Sequence, residues 1–228
     1  MQPYFFPNLS YYKLIHSVDT FIFLDDVDFI KKGWINRNKI QYNGSELLIN
    51  VKCQGLSQNK KINSIKLLGD KRENQKLLKT IYIAYSKSPY FSKVFKLLEN
   101  CLLNDAKNLA NYSSNTIIQV LNYLKIDRKI QYSSIDYPQT SKLKKEERLI
   151  KICKSLGSET YINPEGGKKI YKKERFIKDD IILKFLVSNN TPYKQFDKEF
   201  IPYLSIIDTL MFNDVESVNK LLTHYELV

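Results

Sequence analysis

The spacing of apolar residues changes period several times along the chain. In LSYYKLIHSVD, Leu9, Tyr12, Ile15 and Val18 recur every third residue, which predicts a short helix with one buried stripe. FIFLDD follows as a continuous apolar run that ends in two acids, the pattern of a buried strand. In NKIQYNGSELLINVKC two strand-like runs flank Asn43-Gly44. That pair accepts positive φ at both turn positions and predicts a β-hairpin. INSIKLL reads as one more strand. A helix is then expected through about Lys87, with Asp70 as its N-cap and Pro89 closing the run.

PYFSKVFKLLENCLLN and KNLANYSSNTIIQVLNYLKI continue as two helices of bundle-like pattern. KIQYSSI is strand-like, and SKLKKEERLIKICKSLG is a helix ended by Gly157 at its C′ position. TYINP is a short buried strand stopped by Pro164, DIILKFLV the strongest late strand, and PYLSIIDTLMFN and DVESVNKLLTHYEL two closing helices. Strands alternating with helices at both ends predict an α/β fold. Its sheet is mostly parallel or mixed, with flanking helices and a helical layer from residues 70–125. One domain spans 1–228, the helical layer being an insertion or subdomain. Ligands in such folds lie beyond the carboxyl ends of strands, and both FIFLDD and TYINPEGG end there.

Composition changes this picture in a few respects. The chain has 228 residues, 43% of them hydrophobic, enough for a sizeable core. No apolar stretch approaches the ~18 residues of a membrane span. MQPYFFPNLS lacks the basic start and apolar core of a secretory signal. Cys53, Cys101 and Cys153 stand far apart without a CxxC pair and suit a reducing compartment. A cytoplasmic location is therefore expected. The net charge is +12, but only five of 36 basic residues are arginine. That lysine-rich background is partly compositional bias, and the bases are interleaved with acids. Specific nucleic-acid binding is not expected, although a basic surface attracts acidic partners.

No GxGxxG, P-loop or GxSxG motif is present, and the two histidines, His16 and His224, cannot build a metal cluster alone. Neither a cofactor nor a metal is expected from the motifs. MQPYFFP is a stiff arm packed on the core, or an aromatic wall for a ring or sugar that includes Tyr4 and the Gln2 amide. Asp25 and Asp26 point opposite ways on an extended chain, so one caps a turn while the other faces a cleft as a general base or a sugar ligand. In FIKKGWINRN, Lys32 and Arg37 supply charge for a phosphate, Asn36 and Asn38 read polar edges, and Trp34 stacks on a ring. A solvated loop is the plain alternative. Asn163, Gly166 and Gly167 of INPEGGKKIY suit anion binding before a short helix, or simply punctuate a loop. Gln195 and Asp208 lie in an aromatic segment that is mostly core, where a buried Asp208 requires a partner.

The ordered blocks QPYFFP, DDVDFIKKGWINRN, INPEGGKKIY and YKQFDKEFIPYLSIIDTLMFN resemble the WbqC-like protein family over nearly the whole chain. The chain differs in having Met1 where the family has a short hydrophobic strand before the Gln-Pro, and Ser10-Tyr11-Tyr12 where the family tends to have Gly-Tyr-Phe. The resemblance implies a cytoplasmic enzyme group encoded in surface-polysaccharide (O-antigen and capsule) clusters, beside enzymes of nucleotide-linked amino sugars. The expected function is acyl or aminoacyl transfer to the amine of a nucleotide-linked sugar, with Asp26 taking the proton and Asp25 the other candidate catalytic residue. An acidic acyl or aminoacyl carrier protein is the expected donor or partner. Two alternatives stay open: a nucleotidyl- or glycosyl-type transferase with a metal on Asp25 or Asp26, and a non-catalytic module that docks a carrier protein or a glycosyltransferase.

Overall fold

The computed structural model describes residues 1–69, 71–189, 191–196 and 199–228. The aromatic arm buries Phe5 and Phe6 completely and leads into α1 (Leu9–His16). Tyr11, Tyr12, Leu14 and Ile15 form the inner face of α1. β1 (Thr20–Phe23) turns Phe21 and Phe23 inward on alternate positions, as the pleat requires. β2 (Arg37–Tyr42) and β3 (Ser45–Asn50) form the expected antiparallel hairpin. At its turn Asn43 has φ 48° and Gly44 φ 71°, the left-handed pair that matches strand twist in a two-residue loop.

INSIKLL does not form a strand. Ile62–Ser64 is a 3-10 turn, with Ile62 and Ile65 both buried. Their spacing of three matches that helix rather than an alternating strand. Pairing nearby, among the described residues, consists of two isolated antiparallel bridges, Asp28 with Lys61 and Cys53 with Leu67.

The helical layer consists of α2 (Lys71–Tyr85), α3 (Phe91–Leu102) and α4 (Leu109–Tyr123). The expected cap Asp70 lies outside the described residues. α4 is capped by Asn108, whose side chain accepts from the Asn111 amide. Leu77, Leu78, Ile81, Val94, Leu98 and Tyr112 share one apolar cluster with Phe21 and Phe23, so the layer and β1 belong to the same core.

β4 (Lys129–Tyr132) pairs parallel to β1, with Phe23 opposite Tyr132. It runs straight into α5 (Ser133–Asp136). α6 (Lys145–Leu156) ends on Gly157 at φ 66°, where a side chain would be strained. β5 (Thr160–Pro164), α7 (Lys173–Ile177) and β6 (Ile182–Ser188) follow, and β5 and β6 pair in parallel. α8 (Ile206–Phe212) and α9 (Val215–Leu222) then lead to β7 (Tyr225–Leu227). The last segment was expected to be helical throughout. Instead the buried stripe of α9 is complete at Leu222, and the residues after Thr223 close the free edge of β6 in antiparallel register.

The fold is thus mixed α/β, with its strands divided among the described residues into a β1–β4 pair, a hairpin and a mixed β5–β6–β7 sheet. A second core lies under α6 and β6, around Leu149, Cys153, Phe176 and Phe185, and Leu24 packs against it. Between β1 and β5 runs a groove of about 500 Å³ lined by Phe21, Ile22, Tyr161 and Ile162. At its mouth the Met1 ammonium donates to the Ile22 carbonyl at 2.8 Å, and the Leu24 amide donates to the Met1 carbonyl at 2.7 Å. These two bonds make one rung of a parallel ladder. Where the resemblance implied an edge strand, this rung is what the described residues supply. Among them, no helix is long and apolar enough to cross a membrane.

Candidate functional site

Because β1 and β4 are parallel, both run out at the same end, and Asp25-Asp26 meets Ser133-Ser134 there. The Asp25 carboxylate, 4% exposed, accepts from the Ser134 amide at 3.0 Å, from Ser134 Oγ at 2.5 Å and from Ser133 Oγ at 3.2 Å. Asp26 accepts from Ser133 Oγ at 2.5 Å. Arg148, projecting from α6, donates through one Nη2 to both Asp26 oxygens at 2.7 Å. Its Nε donates to Thr140 Oγ1 at 3.2 Å. Burial pushes the Asp26 carboxyl up, but the hydrogen bonds from Arg148 and Ser133 and the Arg148 charge outweigh it and hold the pKa below the usual value. An acid held ionised in this way is a weak proton acceptor. Asp26 therefore anchors the strand end to α6, and Asp25 is the carboxylate that reaches the cleft.

That cleft, about 670 Å³, opens between the strand ends and α4. Asp25, Tyr132 and Ser134 form one wall, and five asparagines, Asn63, Asn104, Asn108, Asn111 and Asn115, line much of the rest together with Asp105, Ala106, Ile118 and Ile135. Positions 108, 111 and 115 lie three and four residues apart, which sets their side chains in one stripe along α4. Asn104 is fixed by donating to the Cys101 carbonyl and accepting from the Ala106 amide. The Asn63 and Asn111 side chains make no hydrogen bond to another described residue. In a chain of net charge +12, this is an amide-rich surface with two carboxylates, Asp25 and Asp105, among its described lining residues, suited to reading hydroxyl and amide groups.

Of the residues predicted from sequence, Asp25 alone lines this cleft among the described residues. Gln2 is half-buried, its carbonyl accepting from the Tyr11 hydroxyl at 2.7 Å, and the Tyr4 ring packs 5.5 Å from Tyr11. FIKKGWINRN is satisfied largely within itself. Lys32 sits at φ 60°, and Arg37 donates to the carbonyls of Gly33, at 3.0 Å, and Lys32. The Arg37 guanidinium and the Lys39 ammonium stand 5.8 and 6.0 Å from the centre of the Trp34 ring, and Trp34 remains 37% exposed. Asn36 donates to the Val51 carbonyl at 3.3 Å. Asn38 is buried and donates to the carbonyls of Phe5 and Phe6 at 3.0 and 2.7 Å. These side chains shape the loop and clamp the aromatic arm.

Asn163 donates to the Tyr161 hydroxyl at 2.7 Å. A Cβ on Gly167 would stand 2.1 Å from Asn163 Oδ1, so a larger residue there would displace the Asn163 side chain, whereas Gly166 faces open space. Gln195 and Asp208 form a node in the core. Asp208, fully buried, accepts from the Tyr85 hydroxyl at 2.8 Å, the Tyr193 hydroxyl at 2.7 Å and the Gln195 amide at 2.7 Å. Burial raises its pKa, opposed by those three bonds. The asparagine stripe and Arg148 were not singled out from sequence. The 3.6-residue spacing of the asparagines was legible, but Arg148 gave no local signal.

A mixed α/β chain with a polar cleft where parallel strands run out has the arrangement of a ligand-binding α/β protein. The chain belongs to the WbqC-like protein family, whose model matches residues 2–220. It is also similar to an uncharacterized protein of Mycobacterium tuberculosis, Rv1507c. The two are 27% identical over 218 residues, covering 93% of this chain and 91% of that protein. No solved structure matches the chain. Among the described residues no three His, Cys, Asp or Glu side chains gather to hold a metal ion.

Proposed function

We propose that the protein is a transferase of bacterial surface-polysaccharide synthesis that acylates or aminoacylates the amine of a nucleotide-linked sugar, with the sugar in the asparagine-lined cleft. The observation that carries this reading is the set of five asparagines converging on one cleft beside Asp25. Amides both donate and accept, so they match the alternating hydroxyls and N-acyl groups of a sugar without requiring charge. The sugar nitrogen attacks the carbonyl carbon of the donor and forms the new C–N bond. The bond from that carbon to the carrier's sulfur or oxygen breaks. Asp25 takes the proton from the nitrogen and passes it to the departing thiolate or alkoxide. Ser134 Oγ and the Ser134 amide hold Asp25 in place during that transfer. A net charge of +12 favours encounter with an acidic carrier protein.

Calorimetric titration of nucleotide-linked amino sugars against the full chain tests the reading. The expected result is binding that Asn111→Ala and Asn115→Ala weaken by about tenfold each, the worth of one or two hydrogen bonds, with the unfolding midpoint nearly unchanged. Binding that survives both substitutions would place the sugar elsewhere.

A further inference from the structure

Arg37 holds its own loop, Asn36 holds the Val51 carbonyl and Asn38 the carbonyls of Phe5 and Phe6, whereas a set of lysines in another part of the molecule lines an open pocket. Next to the asparagine cleft lies a second pocket of about 330 Å³. The two share the Asn104-Asp105-Ala106 ridge as a common wall, and the bonds that fix Asn104 make that ridge a firm divider. Lys52, Lys66, Lys71 and Lys107 line the second pocket.

The backbone explains how two of these lysines come together. Cys53 and Leu67 form an antiparallel bridge. The Gln54 amide donates to the Lys66 carbonyl at 2.9 Å, and the Leu68 amide to the Lys52 carbonyl at 3.0 Å. Side chains alternate across such a pair. Cys53 and Leu67 pack against the cores, which turns Lys52 and Lys66 out on the opposite face. Lys71 and Lys107 enter from two other segments. Among the described residues two carboxylates also line the pocket, Glu73 and Asp105, and Glu73 is already paired with Lys76 at 2.5 Å. None of the four lysines is ion-paired with a described residue.

We infer that this lysine-lined pocket binds the diphosphate of a nucleoside diphosphate-linked ligand whose sugar occupies the adjoining asparagine cleft. The inference rests on the sugar reading given above for its second half. Four described cations from three directions around one small pocket suit a compact ligand with two or more negative charges, and the amide-rich compartment across the ridge, which holds no lysine or arginine among its described lining residues, suits its sugar end.

The experiment is calorimetric titration of the full chain with inorganic pyrophosphate, UDP, inorganic phosphate and a UDP-linked amino sugar. The variants are Lys52→Ala/Lys66→Ala, Lys71→Ala/Lys107→Ala and, as a charge-matched control on α3, Lys93→Ala/Lys96→Ala. Loss of two charge-assisted bonds should weaken pyrophosphate and UDP about tenfold or more in either pocket pair, with the control unchanged. Equal weakening by the control pair, or no pyrophosphate binding by the wild type, overturns the pocket. Inorganic phosphate binding as tightly as pyrophosphate overturns the diphosphate assignment. If pyrophosphate behaves as expected but the UDP-linked sugar gains nothing over UDP, the pocket stands and the sugar reading falls. If the UDP-linked sugar binds all variants alike, the pocket falls and the sugar reading stands.

Discussion

Asp26 and Asp208 are both withdrawn from solvent, but their surroundings differ. Asp26 lies at a strand end beside a cleft and shares both oxygens with Arg148, whose side chain is 6% exposed. Asp208 lies in the core, and its oxygens accept from two tyrosine hydroxyls and one amide. Both carboxyls are pushed up by burial, and both are opposed by hydrogen bonds. Around Asp26 the arginine charge joins those bonds and the pKa falls, while around Asp208 neutral donors alone leave it raised. A cation in contact reverses the effect of burial, whereas three neutral hydrogen bonds reduce it without cancelling it.

The largest effect is expected from Arg148→Met. It strands the Asp26 carboxylate in a nearly closed site, and denaturant unfolding should show a loss of about 3–5 kcal/mol. Arg148→Met with Asp26→Asn should recover part of that loss, because no charge is then left unpaired. A double variant as unstable as the single one would show that Arg148 acts through packing and not through charge.

The Met1 ammonium extends the comparison to a buried cation. In a protein whose chain starts at Met1, burial and then the nearby Arg148 charge lower its pKa from 8.0 to about 5. The unfolded chain binds more protons between those two values, so stability should rise from pH 5 to pH 8, by up to about 4 kcal/mol. Acetylation of Met1, or a short apolar extension ahead of it, leaves a neutral amide to donate to Ile22 and should flatten that slope. A slope unchanged by acetylation would assign it to other groups.

Asp208→Asn should cost about 1–3 kcal/mol near neutral pH, since an amide cannot accept from all three donors. The raised pKa predicts the accompanying pH signature. The contribution of Asp208 is fully present below its unfolded value and declines as pH rises through the folded one. Asp26 behaves in the opposite sense, its contribution being lost as pH falls. As pH rises through the acid range, the stability deficit of Asp26→Asn relative to the wild type should therefore widen, while that of Asp208→Asn should narrow. The smallest effect is expected at Arg37→Ala. Its bonds to Gly33 and Lys32 lie at the surface, so a loss of about 1 kcal/mol or less is expected, with nucleotide-sugar binding unchanged. Abolished binding would return that loop to the site.

The hairpin at Asn43-Gly44, the stop at Gly157 and the amphipathic helices were all legible because each rests on residues a few positions apart. INSIKLL was misread because a run of six or seven apolar and polar residues fits either period. The candidate site was half legible. Of the two acids at the end of FIFLDD, Asp25 lines the cleft, and the division of labour between them depends on Arg148, Ser133 and Ser134, more than a hundred residues away.

By itself the sequence determined the kinds of element, their order and the α/β class, because helix and strand periods and their caps are local properties. Only the tertiary structure decided which polar side chains remain available for a ligand. The conspicuous Asn38 turned inward and Arg37 folded back on its own loop to hold backbone carbonyls, while the unremarked asparagines of α4 and the lysines around the Asn104 ridge were left facing open clefts. That division follows from desolvation: a polar group near the core is brought to an internal partner by the cost of leaving it unpaired. Which groups lie near the core is settled when distant segments pack.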